Sequence, residues 1–350
     1  MGKINFEKTI KRLFIFVGFG VIAHMTFLLL TTDAKTLSEL TKLRYPYLIA
    51  IAILAMLPWV FHSFRMMLWT RFIGYPLGFR DCINVIVAND LGSALTPTVV
   101  GGGPVKFAML RRKGLDSAKA SFIVLLSGTE DAIFYLIGAL LAAYYLGDSV
   151  IHFFDNISEN SLGLSTISIA IIFLIFLRVL KVDWWTPILN FLPNTTRLKI
   201  SKWGKILKNT FLEIANNFIE VYKRGKLRFI LSLSLLILQW ISKFSILMVL
   251  LVALNIEVSY LNVLINQWII WMSMLFIPTP GASGGAEAAF LFMFKNKLSG
   301  EAITLIISTW RFFTYYFIVI LSIVIFQLIM ARRSAGNEIN LGNEIASAES

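Results

Sequence analysis

Phe276-Ile277-Pro278-Thr279-Pro280-Gly281-Ala282-Ser283-Gly284-Gly285-Ala286-Glu287 and, earlier, Leu95-Thr96-Pro97-Thr98-Val99-Val100-Gly101-Gly102-Gly103-Pro104-Val105-Lys106 interrupt two stretches that are otherwise apolar, 261–294 and 84–105. Proline removes a backbone donor and glycine disfavours helix, so neither stretch reads as an unbroken span. Pro-Thr and a later Gly recur in the two at one fixed, ungapped offset. The same offset carries Lys106 onto Glu287, Ser127 onto Ser308, Glu130 onto Arg311 and Tyr135 onto Tyr316. Lys106 is therefore as far from Glu130 along the chain as Glu287 is from Arg311, with the signs exchanged.

Composition sets the medium around these segments. The 350 residues are 57% hydrophobic and 15% charged, and mean hydropathy is +0.75. This excludes a water-facing globular surface, and 14% aromatic content excludes disorder. The chain reads as an all-α, multi-span membrane protein. With Cys82 as the single cysteine and His24, His62 and His152 widely scattered, no disulfide, cysteine-based zinc cluster or redox motif is expected. No cofactor or metal is expected, and the chain reads as a non-enzyme.

A bilayer core needs about 20 apolar residues per helix. Six stretches qualify, at about 13–30, 47–69, 120–146, 164–180, 229–254 and 302–330. The first follows Lys3, Lys8, Lys11 and Arg12 and lacks a small-residue cleavage pattern, so it reads as a retained span rather than a signal peptide. Basic residues concentrate in 1–12, in 106–119 and in 181–228, which holds ten basic against three acidic side chains. Loop 147–163 carries Asp148, Asp155 and Glu159 with no Lys or Arg. Sidedness then places both termini in the cytoplasm of a plasma (inner) membrane. The count closes if the interrupted stretches are re-entrant hairpins, 84–105 dipping from the cytoplasm and 261–294 from outside. Loop 31–45, with Lys35, Lys42 and Arg44, and the outward placement of Lys295 and Lys297 run against the rule.

Three crossings per half is an odd number, so the halves are expected to be inverted: 1–146 as the first repeat, 147–330 as the second and 331–350 as a polar cytoplasmic tail. Within 195–224, Ile200, Trp203, Leu207, Phe211, Ile214, Phe218 and Val221 recur at helical spacing. That amphipathic helix suits either the anionic cytoplasmic leaflet or the protein's own helices.

A charge at membrane depth is costly and must pair or face water. Broken helices are tolerated only inside protein or beside a cavity, and paired breaks in corresponding positions point to a transporter's binding site. The candidate substrate-binding residues are Lys106, Glu130, Glu287 and Arg311, with Gly102, Gly103, Gly284 and Gly285 letting backbone amides approach an anion, and Asp90 and Asp131 as further intramembrane carboxylates. The four charges read either as internal ion pairs holding each hairpin to the next helix or as the lining of a cavity. Asp90 is placed to contact Arg311 or Lys106. Arg65, Arg178 and Lys243 read as span-end anchors that snorkel. Trp268, Trp271 and Trp310 read as belt or packing residues.

The 278–287 motif, followed by Arg311, resembles that of the flippase-like family built on the transmembrane domain of lysylphosphatidylglycerol synthase. Gly101-Gly102-Gly103-Pro104-Val105-Lys106 is similar to the family's glycine-rich stretch with a following basic residue, although Gly103-Pro104 departs from it. The resemblance implies transbilayer movement of a lipid or lipid-linked head-group. It does not carry over synthesis of an aminoacyl lipid, because only a short polar tail follows Met330. The implied partners are membrane lipids, either an anionic phospholipid or a polyprenyl-phosphate-linked substrate. A separate synthase or a second copy in a homodimer would be protein partners, and nucleic acid is not expected. The competing classes are an integral-membrane transferase using Glu287 or Asp131 as general base, and a non-catalytic partner of a lipid or glycan synthase.

Overall fold

The computed structural model describes residues 44–96, 102–146, 209, 212–274, 277, 279, 281–295 and 300–328. These residues are helical with short connections, and no strand occurs among them. In chain order the helices are α1 (Tyr45–Phe72), α2 (Phe79–Leu95), α3 (Gly102–Arg112), α4 (Ser117–Leu146), α5 (residues 212–224), α6 (Lys226–Ala253), α7 (Tyr260–Met274), α8 (Gly285–Phe294) and α9. Helix α9 starts as Gly300–Arg311, passes through a π-helical turn at Phe312–Tyr316 and runs on to residue 328.

Four of these are long and apolar enough to cross a membrane: Tyr45–Phe72, Ser117–Leu141, Lys226–Ala253 and Ile303–Leu328. They coincide with four of the six stretches read from hydropathy. The other two, 13–30 and 164–180, lie outside the described residues, as do the 195–208 part of the amphipathic helix, most of the first break, Pro278, Pro280 and the tail 331–350. Helices α2, α3, α7 and α8 have 17, 11, 15 and 10 residues. At 1.5 Å per residue each is shorter than the ~30 Å hydrocarbon core.

Helix starts and stops recur at the offset found in the sequence. The shift that carries Lys106 onto Glu287 also carries Tyr45, which opens α1, onto Lys226, which opens α6, and Phe79, which opens α2, onto Tyr260, which opens α7. The C-terminal caps recur too. After α1, Gly74 has φ +73°, with Gly74 N–H bonded to Arg71 C=O at 3.2 Å and Tyr75 N–H to Thr70 C=O at 2.9 Å. After α6, Asn255 has φ +56°, with Asn255 N–H bonded to Val252 C=O at 3.0 Å and Ile256 N–H to Leu251 C=O at 2.9 Å. Both are Schellman caps, closed by the two residue types that most readily enter the left-handed region.

Helix α1 packs most extensively on α6, while α2 packs on α3 and α7 on α8. One buried cluster joins α1, α6, α7, α8 and α9 around Ile51, Leu247, Ile270, Phe290 and Trp310. A second joins α1, α2, α3 and α4 around Trp69, Ile86, Leu110 and Phe122. The outer faces present Ile49, Leu140, Ile237 and Leu328, as a lipid-facing surface requires. The base of the α2–α3 pair is tied by the Lys113–Asp81 ion pair and by Tyr75 Oη donating to Lys113 C=O at 2.8 Å. Outside the spans, Asp116 accepts the Lys119 N–H at 2.8 Å at the start of α4. Partial burial pushes that carboxyl up, but the bonds from Lys119 outweigh it, leaving its pKa below the ordinary value.

In the described part of the amphipathic segment, Ile214 and Val221 are buried and Phe218 meets Phe122 edge-on at 5.2 Å. This part of the apolar stripe packs against the protein's own helices. Leu212, Ile219 and Tyr222 remain exposed beside it.

Candidate functional site

A cavity of about 480 Å³ lies among the helices, walled by residues from both sides of the chain's midpoint. Of the residues singled out in the sequence, Asp90, Gly103, Lys106, Asp131 and Arg311 line it. Gly102, Glu130, Glu287, Gly284 and Gly285 do not contribute to that wall. The structure therefore sorts the sequence set into a lining group and a supporting group.

Lys106 projects from the middle of α3. Its Nζ donates to Ser127 Oγ at 2.7 Å and to His62 Nε2 at 3.2 Å. A lysine ammonium only donates, so His62 accepts through Nε2 and is the neutral imidazole. Among the described residues no carboxylate pairs with Lys106, contrary to the ion pair its spacing from Glu130 had offered. The reason is Arg65. Arg65 lies about 10 Å before the end of α1, buried to 1% exposure. Its Nη2 meets Glu130 Oε2 at 2.6 Å, and its Nη1 meets Asp131 Oδ1 at 3.4 Å and Gln239 Oε1 at 3.1 Å. Glu130 is 0% exposed and also accepts the Trp69 Nε1–H at 2.9 Å. Reading Arg65 as a snorkelling anchor is thus overturned: two adjacent carboxylates on α4 hold it inside.

The expected Asp90 contact is corrected as well. Its carboxylate accepts from Trp59 Nε1 at 2.8 Å and from Asn89 Nδ2 at 2.9 Å. These neutral donors lie nearer to hand than Arg311 or Lys106. Lys243, also read as an anchor, stays in the bundle and lines the cavity. Its Nζ lies 4.8 Å from the Trp240 ring centroid and 5.1 Å from that of Trp271, an aromatic clamp on a cation. No carboxylate pairs with it among the described residues.

At the second break the expected pair forms. Arg311 Nε donates to Glu287 Oε1 at 3.0 Å. The other Glu287 oxygen accepts the Gly284 N–H at 2.7 Å, capping the first turn of α8. Gly284 holds φ +84° there, a conformation only glycine adopts without strain. Arg311 further bonds Gly281 C=O and Ser283 Oγ and stacks 4.7 Å from the Tyr315 ring centroid. This cluster clamps the second break onto α9. The π-turn that follows Arg311 brings Tyr315 to the cavity, where its Oη donates to Ala94 C=O of α2 at 2.9 Å. The first break has its own close approach, because a Cβ on Gly102 would run into Ser93 Oγ and sit 3.1 Å from Asn89 C=O.

Sequence reading missed His62, Lys243, Trp240 and Tyr315 as lining residues. Lys243 carried a usable signal, since it lies about 15 Å before the end of α6, too deep to snorkel easily, with Trp240 one turn away. Trp271 lines the cavity, while Trp268 packs on Phe134 at 4.3 Å and Trp310 on Phe290 at 5.2 Å. Arg178 lies outside the described residues.

Comparison with known proteins fits this architecture. The chain is 23% identical over 287 residues to a UPF0104 membrane protein of Archaeoglobus fulgidus, covering 82% of this chain and 87% of that relative. Residues 15–322 match the family described as the lysylphosphatidylglycerol synthase TM region. With four apolar spanning helices described and the match extending over most of its length, the chain is a multi-pass integral membrane protein of the lysylphosphatidylglycerol synthase TM-region family.

Proposed function

We propose that this protein moves a lipid with an anionic head-group between leaflets, the head-group passing through the cavity while the acyl chains stay in the bilayer. The observation that carries the reading is a pair of ammonium groups, Lys106 and Lys243, that line the cavity with no carboxylate partner among the described residues. Their partners are a hydroxyl, a neutral imidazole and two indole faces. An ammonium at membrane depth with no anion in contact is incompletely satisfied, and a phosphate bearing a negative charge offers both groups charge-assisted hydrogen bonds. An anionic phospholipid and a polyprenyl-phosphate-linked lipid share this chemistry.

We read the architecture as an inverted repeat, with α2–α3 and α7–α8 as re-entrant hairpins and both termini on the cytoplasmic side of the inner membrane. Support comes from helices and caps recurring at one constant offset and from paired helices each too short to cross alone. In this reading Glu287–Arg311 and Arg65–Glu130 brace the two halves, and Lys106, Lys243 and Asp131 face the substrate.

The test is a flip assay in proteoliposomes carrying fluorescent phosphatidylglycerol, scored by the fraction of probe bleached by external dithionite. Loss of a charge-assisted hydrogen bond of ~1.5–3 kcal/mol slows movement about tenfold to a hundredfold. Lys106→Ala and Lys243→Ala are each expected to do so. Movement unaffected by both would sink the assignment of the cavity. Formation of a new lipid product by the purified chain would favour the transferase reading instead.

A further inference from the structure

The charges in and behind the cavity wall balance. The cations among the described residues there are Arg65, Lys106, Lys243 and Arg311, and the carboxylates are Asp90, Glu130, Asp131 and Glu287. His62 accepts from Lys106 and is neutral. Among the described residues, four formally positive and four formally negative groups leave the site without net charge of its own. A singly charged phosphodiester entering it would create one unbalanced negative charge among spanning helices, which is costly at that depth.

One carboxylate is built to remove that imbalance. Glu287 is held by Arg311 and by a backbone amide, and Glu130 by Arg65 and Trp69. Asp90 has a donor on each oxygen, from Trp59 and Asn89. Asp131 differs. Its Oδ1 meets Arg65 only at 3.4–3.5 Å, its other oxygen meets no donor among the described residues, and its side chain, 37% exposed, lines the cavity. The charged and titratable groups around it come from each packed element. Arg65 and His62 stand on α1, Asp90 on α2, Lys106 on α3 and Lys243 on α6. Its own helix adds Glu130 and Tyr135, and α7, which packs on α4, brings no charged side chain.

We infer that binding of the anionic head-group is coupled to uptake of one proton by Asp131. The proton comes from water, an O–H bond forms on the free carboxylate oxygen, and the loaded cavity is again neutral. Arg65 keeps Glu130, while Lys106 and Lys243 take the phosphate. A proton gradient can then drive the lipid in one direction, which a neutral carrier of the same geometry would not allow. This inference rests on the anion-binding reading of the cavity.

The experiment is calorimetric titration of glycerophosphoglycerol into the detergent-solubilised full chain, in two buffers of different ionisation enthalpy at one pH. The probe is a phosphodiester, so it does not titrate near neutrality, and any proton taken up lands on the protein. Wild type is expected to take up about one proton per anion, and its affinity to weaken about tenfold for each pH unit of increase, the slope that one linked proton requires. Asp131→Asn is expected to bind with no proton uptake and with affinity independent of pH. Asp131→Glu, which keeps the carboxylate, is expected to retain the uptake, and this separates the titrating role from a folding defect. Wild-type binding with no proton uptake overturns the coupling alone. Uptake that persists in Asp131→Asn overturns the assignment to this residue. Absence of any binding to wild type overturns the anion-site reading and the coupling with it.

Discussion

Replacing Glu130 probes the group on which the bundle's interior depends. Arg65 and Glu130 are 1% and 0% exposed and meet at 2.6 Å, so removing the carboxylate strands a guanidinium that neither water nor a snorkelled position can rescue. Breaking one side of a buried pair costs about 3–5 kcal/mol. Two features set the value for Glu130→Gln near the lower end of that range. Asp131 remains at 3.4 Å as a second carboxylate, and a glutamine oxygen can still accept the Trp69 Nε1–H. Glu130→Ala also removes one of the two acceptors of that indole N–H, leaving Ser232 Oγ at 3.0 Å, and belongs nearer the upper end. Replacing both partners by apolar groups, as in Arg65→Met with Glu130→Met, removes the stranded charge and is expected to recover most of the loss. Unfolding free energies in mixed detergent–dodecyl sulfate micelles give each value and close the double-mutant cycle. A cost below about 1 kcal/mol for Glu130→Ala, or a double variant as unstable as the two singles summed, refutes the pairing as described.

Further outcomes follow from the same geometry. Gly102→Ala drives a methyl group against Ser93 and the Asn89 carbonyl and is expected to cost about 1–3 kcal/mol. Gly103→Ala, whose Cβ finds Val124 at 3.7 Å, is tolerated, and thermal unfolding of the two variants side by side checks the contrast. The exchange Glu287→Arg with Arg311→Glu should not restore function or stability, because Glu287 also caps α8 through the Gly284 amide and an arginine cannot accept that bond. Asp116→Ala removes the cap at the start of α4 and should cost about 1 kcal/mol. Because the folded-state pKa of Asp116 is lowered, its contribution is present above the ordinary carboxylate range and fades as pH falls through the lowered value, which a pH series of melting curves would show. Labelling of a cysteine at position 295, in a Cys82→Ser background, is expected from outside the cell only. Labelling from the cytoplasm alone removes the inverted repeat.

Periodicity and offset carried much of the architecture. The four described spanning helices and the two breaks are readable because membrane-length apolar runs and Pro-Gly interruptions are local signals. The constant offset between the halves is legible for the same reason, since caps such as Gly74 and Asn255 are set by a few neighbouring residues. Charge pairing was not legible to the same degree. Spacing paired Glu287 with Arg311 correctly, because the capping turn and the next helix are close in the chain. The matching spacing of Lys106 and Glu130 misled, because α1 inserts Arg65 between them, and helix rotation between elements so far apart in the chain leaves no local mark. Lys243 was half legible: its depth and Trp240 one turn away are local signals, but the Trp271 half of its aromatic clamp comes from another helix.

The most direct test of the account is a structure of the protein in nanodiscs rich in phosphatidylglycerol. The account predicts phosphate density inside the cavity, within hydrogen-bonding distance of Lys106 Nζ and Lys243 Nζ, with acyl chains leaving between the helices into lipid. A cavity empty of phosphate, with head-groups bound only on the outer surface, would contradict it.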